Sequence, residues 1–332
     1  MRQTTMGKGG PTISAFGIGA MSFSNFYGPT NEAESHAILD AAIELGVTHI
    51  DTSNIYGMGG SETVIGTFFK ANPGARDQFH IATKAGITTD ADGKRCFKNS
   101  LAHIETELDG SLARMGIDCV DLMYIHRRQA DMPIEEATEN LAALVKKGKA
   151  KSIGFSEIAP SSLRRAAAVH PIAAVQSEYS LSTRAPELGL VQACAELGTA
   201  LVAFSPVGRS LLTDTPIPRE VIPQLGFTSS NPRFQEPNLS FNLAITDKFR
   251  ALAAEMGTSA AALSIAWLIH QGDHVIPIPG TRSVAHFREL VAGCDLQLTA
   301  SDLARIEEVL PVGWCYGDRY NDAQWMGPER FC

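Results

Sequence analysis

Several features that would place the chain in a specialised class are missing. There is no CxxC pair and no paired cysteine spacing: Cys96, Cys119, Cys194, Cys294, Cys315 and Cys332 are scattered along 332 residues. That pattern argues against a disulfide framework and fits reduced thiols in a cytosolic protein. No uninterrupted apolar run is long enough to cross a bilayer, and the first ten residues lack the apolar stretch of a signal peptide. Positive charge is thin as well. With 28 Lys and Arg against 36 Asp and Glu, the net charge is -8, and no basic run or face stands out. Nucleic acid and anionic membrane are therefore poor partners, and any bound anion has to be held by local design. No GxGxxG follows the first strand-like segment, so the fingerprint of a doubly wound dinucleotide fold is absent too.

What remains is ordinary globular composition, with 44% hydrophobic and 19% charged residues and no composition shift that marks a boundary. Residues 1–332 read as one domain. Gly9-Gly10-Pro11 is a turn between two short segments, which predicts a small N-terminal hairpin able to close one end of the fold. Beyond it, short apolar runs alternate with helical patterns. Strands are predicted at 15–19, 49–51, 79–84, 119–126, 151–156, 173–178, 200–205 and 274–278. Helices are predicted near 30–45, 61–70, 98–115, 134–147, from Pro160, and at 187–197, 243–256, 259–271, 284–292 and 299–309. An Asp/Gly-rich loop follows the third strand, and a long Pro-rich loop at 207–238 follows the seventh; loops of that length inside compact domains are usually functional. The tail to Cys332 is aromatic and irregular. Eight strands in this alternation predict a (β/α)8 TIM barrel with an N-terminal hairpin, a long loop after strand seven, extra helices and a C-terminal tail.

The polar residues at the strand ends strengthen that reading. His49-Ile50-Asp51-Thr52-Ser53-Asn54-Ile55-Tyr56 is a short strand ending in a carboxylate and running into a loop with a tyrosine. The next two strands end in Lys84 and His126. Neighbouring barrel strands would bring Asp51, Lys84 and His126 to one mouth, with Tyr56 beside them. A charged Lys84 next to Asp51 would lower the Tyr56 pKa and make the phenol a proton donor to a carbonyl oxygen, with His126 donating to the same oxygen. Taken singly, Asp51 and Lys84 are equally readable as a structural ion pair, and His126 as a core histidine. His270 and His274 straddle a helix end and a strand start, so they do not form a metal pair, and no metal is expected.

These residues resemble the aldo-keto reductases along nearly the whole chain. The resemblance runs through Gly46-Val47-Thr48-His49-Ile50-Asp51-Thr52-Ser53-Asn54-Ile55-Tyr56-Gly57, Lys84 and Tyr124-Ile125-His126-Arg127. It is closest to the fungal, plant and bacterial branch with Phe204-Ser205-Pro206-Val207-Gly208-Arg209, Pro232-Arg233-Phe234-Gln235 and Gly317-Asp318-Arg319-Tyr320. It implies a catalytic tetrad of Asp51, Tyr56, Lys84 and His126, and NADPH across the barrel mouth, with NADH as the alternative. Ser156, Gln176 and Phe204 are the implied nicotinamide contacts, and Met21 is a further implied cofactor contact. Ser205, Pro206, Val207, Gly208 and Arg209 form the implied pyrophosphate strap, and Gly280, Thr281, Arg282, His286 and Glu289 the adenosine end. Glu157, His286 and Leu290 depart from the family pattern at positions expected to touch cofactor.

The activity so implied is reduction of an aldehyde or ketone, with Phe23, Phe26, Tyr27, Arg127 and Trp314 as the expected substrate pocket. Two other classes stay open: a Schiff-base lyase with Lys84 as the amine, and an NADPH-holding redox-sensing subunit with little turnover. The physiological carbonyl, the reaction direction and the number of subunits stay open as well.

Overall fold

The computed structural model describes residues 1–330, so Cys332 lies outside the described residues. In chain order the strands are β1 (Gln3–Thr5), β2 (Thr12–Ser14), β3 (Gly17–Gly19), β4 (His49–Asp51), β5 (His80–Ala85), β6 (Ile87–Thr89), β7 (Arg95–Phe97), β8 (Val120–Ile125), β9 (Ala150–Ser156), β10 (Ala174–Glu178), β11 (Ala200–Phe204) and β12 (Val275–Pro277). The helices used below are α1 (Glu32–Leu45), α2 (Gly60–Ala71), α3 (Leu101–Met115), α4 (Ile134–Lys146), α5 (Pro160–Val169), α6 (Leu190–Leu197), α7 (Gly226–Ser229), α8 (Asn238–Glu255), α9 (Ala260–Ile269), α10 (Val284–Ala292) and α11 (Ala300–Val309).

Eight strands form one parallel sheet in the order β12-β11-β10-β9-β8-β5-β4-β3. The sheet curls into a (β/α)8 barrel. Its seam is drawn together where the Gly19 amide donates to the Pro279 carbonyl at 2.9 Å. A side chain on Gly19 would meet the Ile278 carbonyl oxygen at 2.6 Å, so backbone has to face backbone there.

Alternation along each strand divides the core. Ile50, Ile81, Met123, Ile153 and Leu201 point outward under the helices, whereas Ala82, Leu122, Tyr124, Val202 and Ile276 fill the barrel interior. The N-terminal hairpin of β1 and β2 adds Met6 and Ile13 to that interior. Helix ends follow local chemistry. Asn31 caps α1 by accepting from the Glu34 amide at 2.9 Å, and Gly46 ends it in a left-handed turn.

Two predicted segments come out differently. The Asp/Gly-rich loop after the third barrel strand holds the antiparallel pair β6 and β7, turned at residues 90–94. The predicted helix at 243–256 begins earlier, at Asn238, and the long loop contains the short α7. Asp-Gly between short alternating segments is a hairpin signal that the loop reading passed over. Among the described residues, no single helix is long and apolar enough to cross a membrane.

At the opposite end of the barrel from the strand-end residues, β4 and β5 open with buried histidines. His49 Nδ1 lies 3.1 Å from His80 Nδ1 and 3.2 Å from the His80 carbonyl, and among the described residues neither Nε2 has a partner. A second proton on either ring would create a buried N–H with nothing to accept it. Burial therefore depresses both pKa values, with His80 brought down to about 3. The unfolded chain takes up these protons below about pH 6.5, and the folded one does not. Stability should be complete above that pH and fall as pH drops toward 3, with His80 alone contributing a loss of about 2 kcal/mol by pH 5. Urea midpoints at neutral pH and at pH 5 check this, and His80→Asn should shallow the dependence. Equal slopes in the two proteins would refute the assignment.

Candidate active site

The barrel topology carries Asp51, Lys84 and His126 to one mouth, because β4, β5 and β8 are consecutive in the sheet. Lys84 is fully buried, and its ammonium donates three ways: to the Asp51 carboxylate, to the Thr52 carbonyl at 2.8 Å and to the Tyr56 hydroxyl at 3.2 Å. The second Asp51 oxygen accepts from Gln176 Nε2 at 2.7 Å. His126 stands beside the phenol, its ring centroid 5.8 Å from that of Tyr56 and nearly perpendicular to it. Its Nδ1 meets Ser53 Oγ at 3.0 Å. Tyr56 itself is half-buried, with access to the cleft.

The protonation states follow from this packing. Burial pulls the Lys84 pKa down, but Asp51 and the Tyr56 phenol more than offset it, so the ammonium is held above its usual range. Burial, then the positive charges of Lys84, Arg127 and Arg95, push His126 well below the usual histidine range, and the ring is neutral. Tyr56 departs from the sequence expectation. Lys84 does draw its pKa down, but desolvation is the larger effect and the phenol ends above its ordinary value. The group beside the cleft is thus a protonated, neutral tyrosine touching a cation.

A cleft of about 1070 Å³ runs across this mouth. Of the residues expected at the cofactor, Met21, Ser156, Gln176, Phe204, Ser205, Pro206, Val207, Arg209, Gly280, Thr281, Arg282, His286 and Glu289 all line it. Gly208 does not: it lies beneath, where a Cβ would come within 2.9 Å of Ser182 Oγ. The strap has unusual backbone. Ser205, Gly208, Arg209 and Ser210 all take positive φ, from 52 to 83 degrees, a conformation that non-glycine residues adopt at a cost. Such turns direct backbone amides to one side, as an anion site requires. Arg209 is clamped by Glu178 at 2.8 Å and covered by the Phe227 ring at 4.9 Å. At the other end, Ser283 caps α10, and Arg282 reaches across to the Pro29 carbonyl at 2.5 Å.

The expected substrate residues divide. Phe26, Tyr27 and Arg127 line the cleft, whereas Phe23 and Trp314 are core residues. Trp314 donates its indole N–H to the Leu181 carbonyl at 2.8 Å, which turns the ring into the protein. Of the other tail aromatics, Tyr316 stacks on Phe241 at 4.9 Å, away from the mouth. Tyr320 and Gln324 do line the cleft, as do Ile87 and Arg95 from the unforeseen hairpin.

The departure at Glu157 has a structural explanation. Its carboxylate pairs with Arg319 at 2.7 Å and accepts the Glu178 amide at 2.9 Å, and its carbonyl accepts the Glu329 amide at 2.9 Å. It anchors the C-terminal tail beside the mouth and does not line the cleft. His270 and His274 bond separately, to the Ala266 and Val191 carbonyls.

An eight-stranded parallel barrel with Asp, Tyr, Lys and His gathered at one end of its strands, under a long cleft, defines a class of barrel enzyme. Residues 15–311 match the Aldo/keto reductase family, and the chain belongs to it. It is 37% identical over 316 residues to the Schizosaccharomyces pombe protein named aldo-keto reductase yakc, whose name includes NADP(+); the match covers 94% of this chain and 93% of that protein. Among solved structures it resembles a glycerol dehydrogenase from Gluconobacter oxydans, with a TM-score of 0.80 and 25% identity across 94% of this chain and 95% of the other. The family places the chain among the oxidoreductases.

Proposed function

We propose that the protein reduces an aldehyde or ketone to the alcohol using NADPH, with Tyr56 supplying the proton. The observation that carries this reading is the Tyr56 hydroxyl at 3.2 Å from a buried, Asp51-paired Lys84 ammonium, at the edge of a cleft of about 1070 Å³. Ser156, Gln176 and Phe204 would hold the nicotinamide end, the left-handed strap and Arg209 the pyrophosphate, and Gly280 to Arg282 the adenosine end. When bound, the cofactor supplies a hydride. The name of the Schizosaccharomyces pombe relative supports NADP over NAD, and an exposed arginine at the adenosine end suits an added phosphate.

The chain's own residues do the proton work. As negative charge grows on the substrate oxygen, the Tyr56 proton moves to it, and the Lys84 ammonium stabilises the phenolate left behind. Asp51 keeps that ammonium charged, and Gln176 and Lys84 together hold the Asp51 carboxylate in place. In the tautomer whose Nδ1 accepts from the Ser53 hydroxyl 3.0 Å away, the neutral imidazole carries its N–H at Nε2 and can orient the carbonyl oxygen. The arrangement disfavours the lyase reading, since a Lys84 that spends three donors and is held protonated is a poor nucleophile.

The expected result is carbonyl-dependent loss of nicotinamide absorbance across a panel of aromatic and aliphatic aldehydes, faster with NADPH than with NADH. Tight NADPH binding with no turnover on any member would replace this reading with the redox-sensing one.

A further inference from the structure

The mouth of this acidic protein is rich in arginine, and the arginines are not equally neutralised. Arg209 and Arg233 share Glu178, and Arg319 is paired with Glu157; both glutamates are fully buried. Arg127 and Arg95 have no such direct partner, although Arg127 is near enough to Glu157, itself paired with Arg319, to act on its charge. Among the described residues, neither forms an ion pair with any Asp or Glu, yet both line the same cleft as His126. Arg127 is more than nine-tenths buried. One terminal nitrogen is used, donating to the His126 carbonyl at 2.7 Å and to Ser156 Oγ at 2.9 Å, while Nε is buried without a partner. Arg95 stands exposed on β7, over the Phe97 ring at 5.5 Å. The two guanidiniums are close enough for Arg127 to depress the Arg95 pKa, and both depress that of His126.

Two like charges lining the same cleft as His126, one of them desolvated and offset only by a glutamate already paired with Arg319, favour a further group of opposite sign. We propose that the substrate carries an anionic group, a carboxylate or a phosphate, that enters past Arg95 and seats against Arg127 while its carbonyl lies at Tyr56 and His126. This inference rests on the reductase reading for the carbonyl, but the anion site is separable from it. A guanidinium with unspent donors matches both anions in shape, and the overall charge of -8 makes this positive spot a local feature of the mouth.

The test compares matched pairs: para-carboxybenzaldehyde with the isosteric neutral para-formylbenzamide, and glyceraldehyde phosphate with glyceraldehyde. The anionic member is expected to have the higher kcat/KM by about tenfold or more. Whichever pair shows the larger ratio identifies the anion. Added salt should shrink the ratio, Arg127→Met should remove most of it, and Arg127→Lys should keep part. Arg95→Met, on the exposed rim, should lower it mainly through KM and tests the idea even where the Arg127 variants fold poorly. Equal kcat/KM within both pairs, or ratios unchanged in both methionine variants, would overturn the proposal. Thermal shift with benzoate against benzamide, read with NADPH present, follows the anion site without turnover. If no carbonyl is reduced but benzoate alone stabilises the protein, and Arg127→Met abolishes that, the reductase reading fails and the anion site stands. No preference for benzoate, together with equal kcat/KM within both pairs, sinks the anion site.

Discussion

Replacing Tyr56 with Phe is expected to reduce carbonyl turnover by about 10² to 10⁴-fold while leaving NADPH affinity close to that of the parent protein. The substitution removes a single oxygen. The ring is half-buried beside His126, and the oxygen's partner among the described residues is Lys84 Nζ, which keeps Asp51 and the Thr52 carbonyl as acceptors. Folding should be little affected, so loss of activity reports on the proton. Because burial holds the Tyr56 pKa above its ordinary value, the phenol stays protonated through neutral pH, and no loss of rate from its ionisation should appear there. Stopped-flow turnover and cofactor fluorescence titration of both proteins decide the matter. Full activity in Tyr56→Phe would remove the proton role, and lost cofactor binding would make Tyr56 a structural residue.

How much of this was legible in the sequence depends on the kind of interaction. The barrel was readable because each βα unit carries its own signal: an apolar run, a turn, a helical period. The convergence of Asp51, Lys84 and His126 follows from the same topology, since neighbouring strand ends must meet. The balance of burial against charge was not readable. Placing Lys84 near Tyr56 correctly gives attraction, but the net direction of the tyrosine shift depends on desolvation, which only packing reveals. The same gap explains Trp314 and Phe23, which look like pocket aromatics until hydrogen bonding and burial turn them inward.

Glu157 shows the reverse case, in which an odd residue in the sequence acquires a cause in three dimensions. A carboxylate after the strand-end serine looked like a defect in a cofactor site. Its partner, Arg319, lies 162 positions away in the chain, and no local pattern links the two. Burial would raise the Glu157 pKa, but Arg319 and Arg127 overcome that and hold the carboxyl below its ordinary range. The tail it anchors brings Tyr320 to the cleft, where it faces the same space as Arg95 from the hairpin. This part of the cleft wall is therefore built from the two segments that sequence periodicity describes least well, the hairpin and the tail. The reacting end is built from the strands, which it describes best.

Lys84→Met should damage the protein twice, and the two losses can be separated. Lys84 and Asp51 are both essentially inaccessible, so removing the ammonium leaves a buried carboxylate whose remaining side-chain partner among the described residues is Gln176 at 2.7 Å. Breaking one side of such a pair costs about 3 to 5 kcal/mol, which in a chain of this size should lower Tm by roughly 4 to 7 °C. Adding Asp51→Asn to Lys84→Met should restore much of the lost stability, since the amide oxygen still accepts from Gln176 and carries no charge. It should not restore turnover, because Tyr56 would still lack the cation that stabilises its phenolate. Calorimetry and turnover measured on the single and double variants distinguish these effects. If the double variant regains activity along with stability, Lys84 acts only as a counter-ion for Asp51. If Lys84→Met melts like the parent protein, the buried pair contributes far less than its geometry implies.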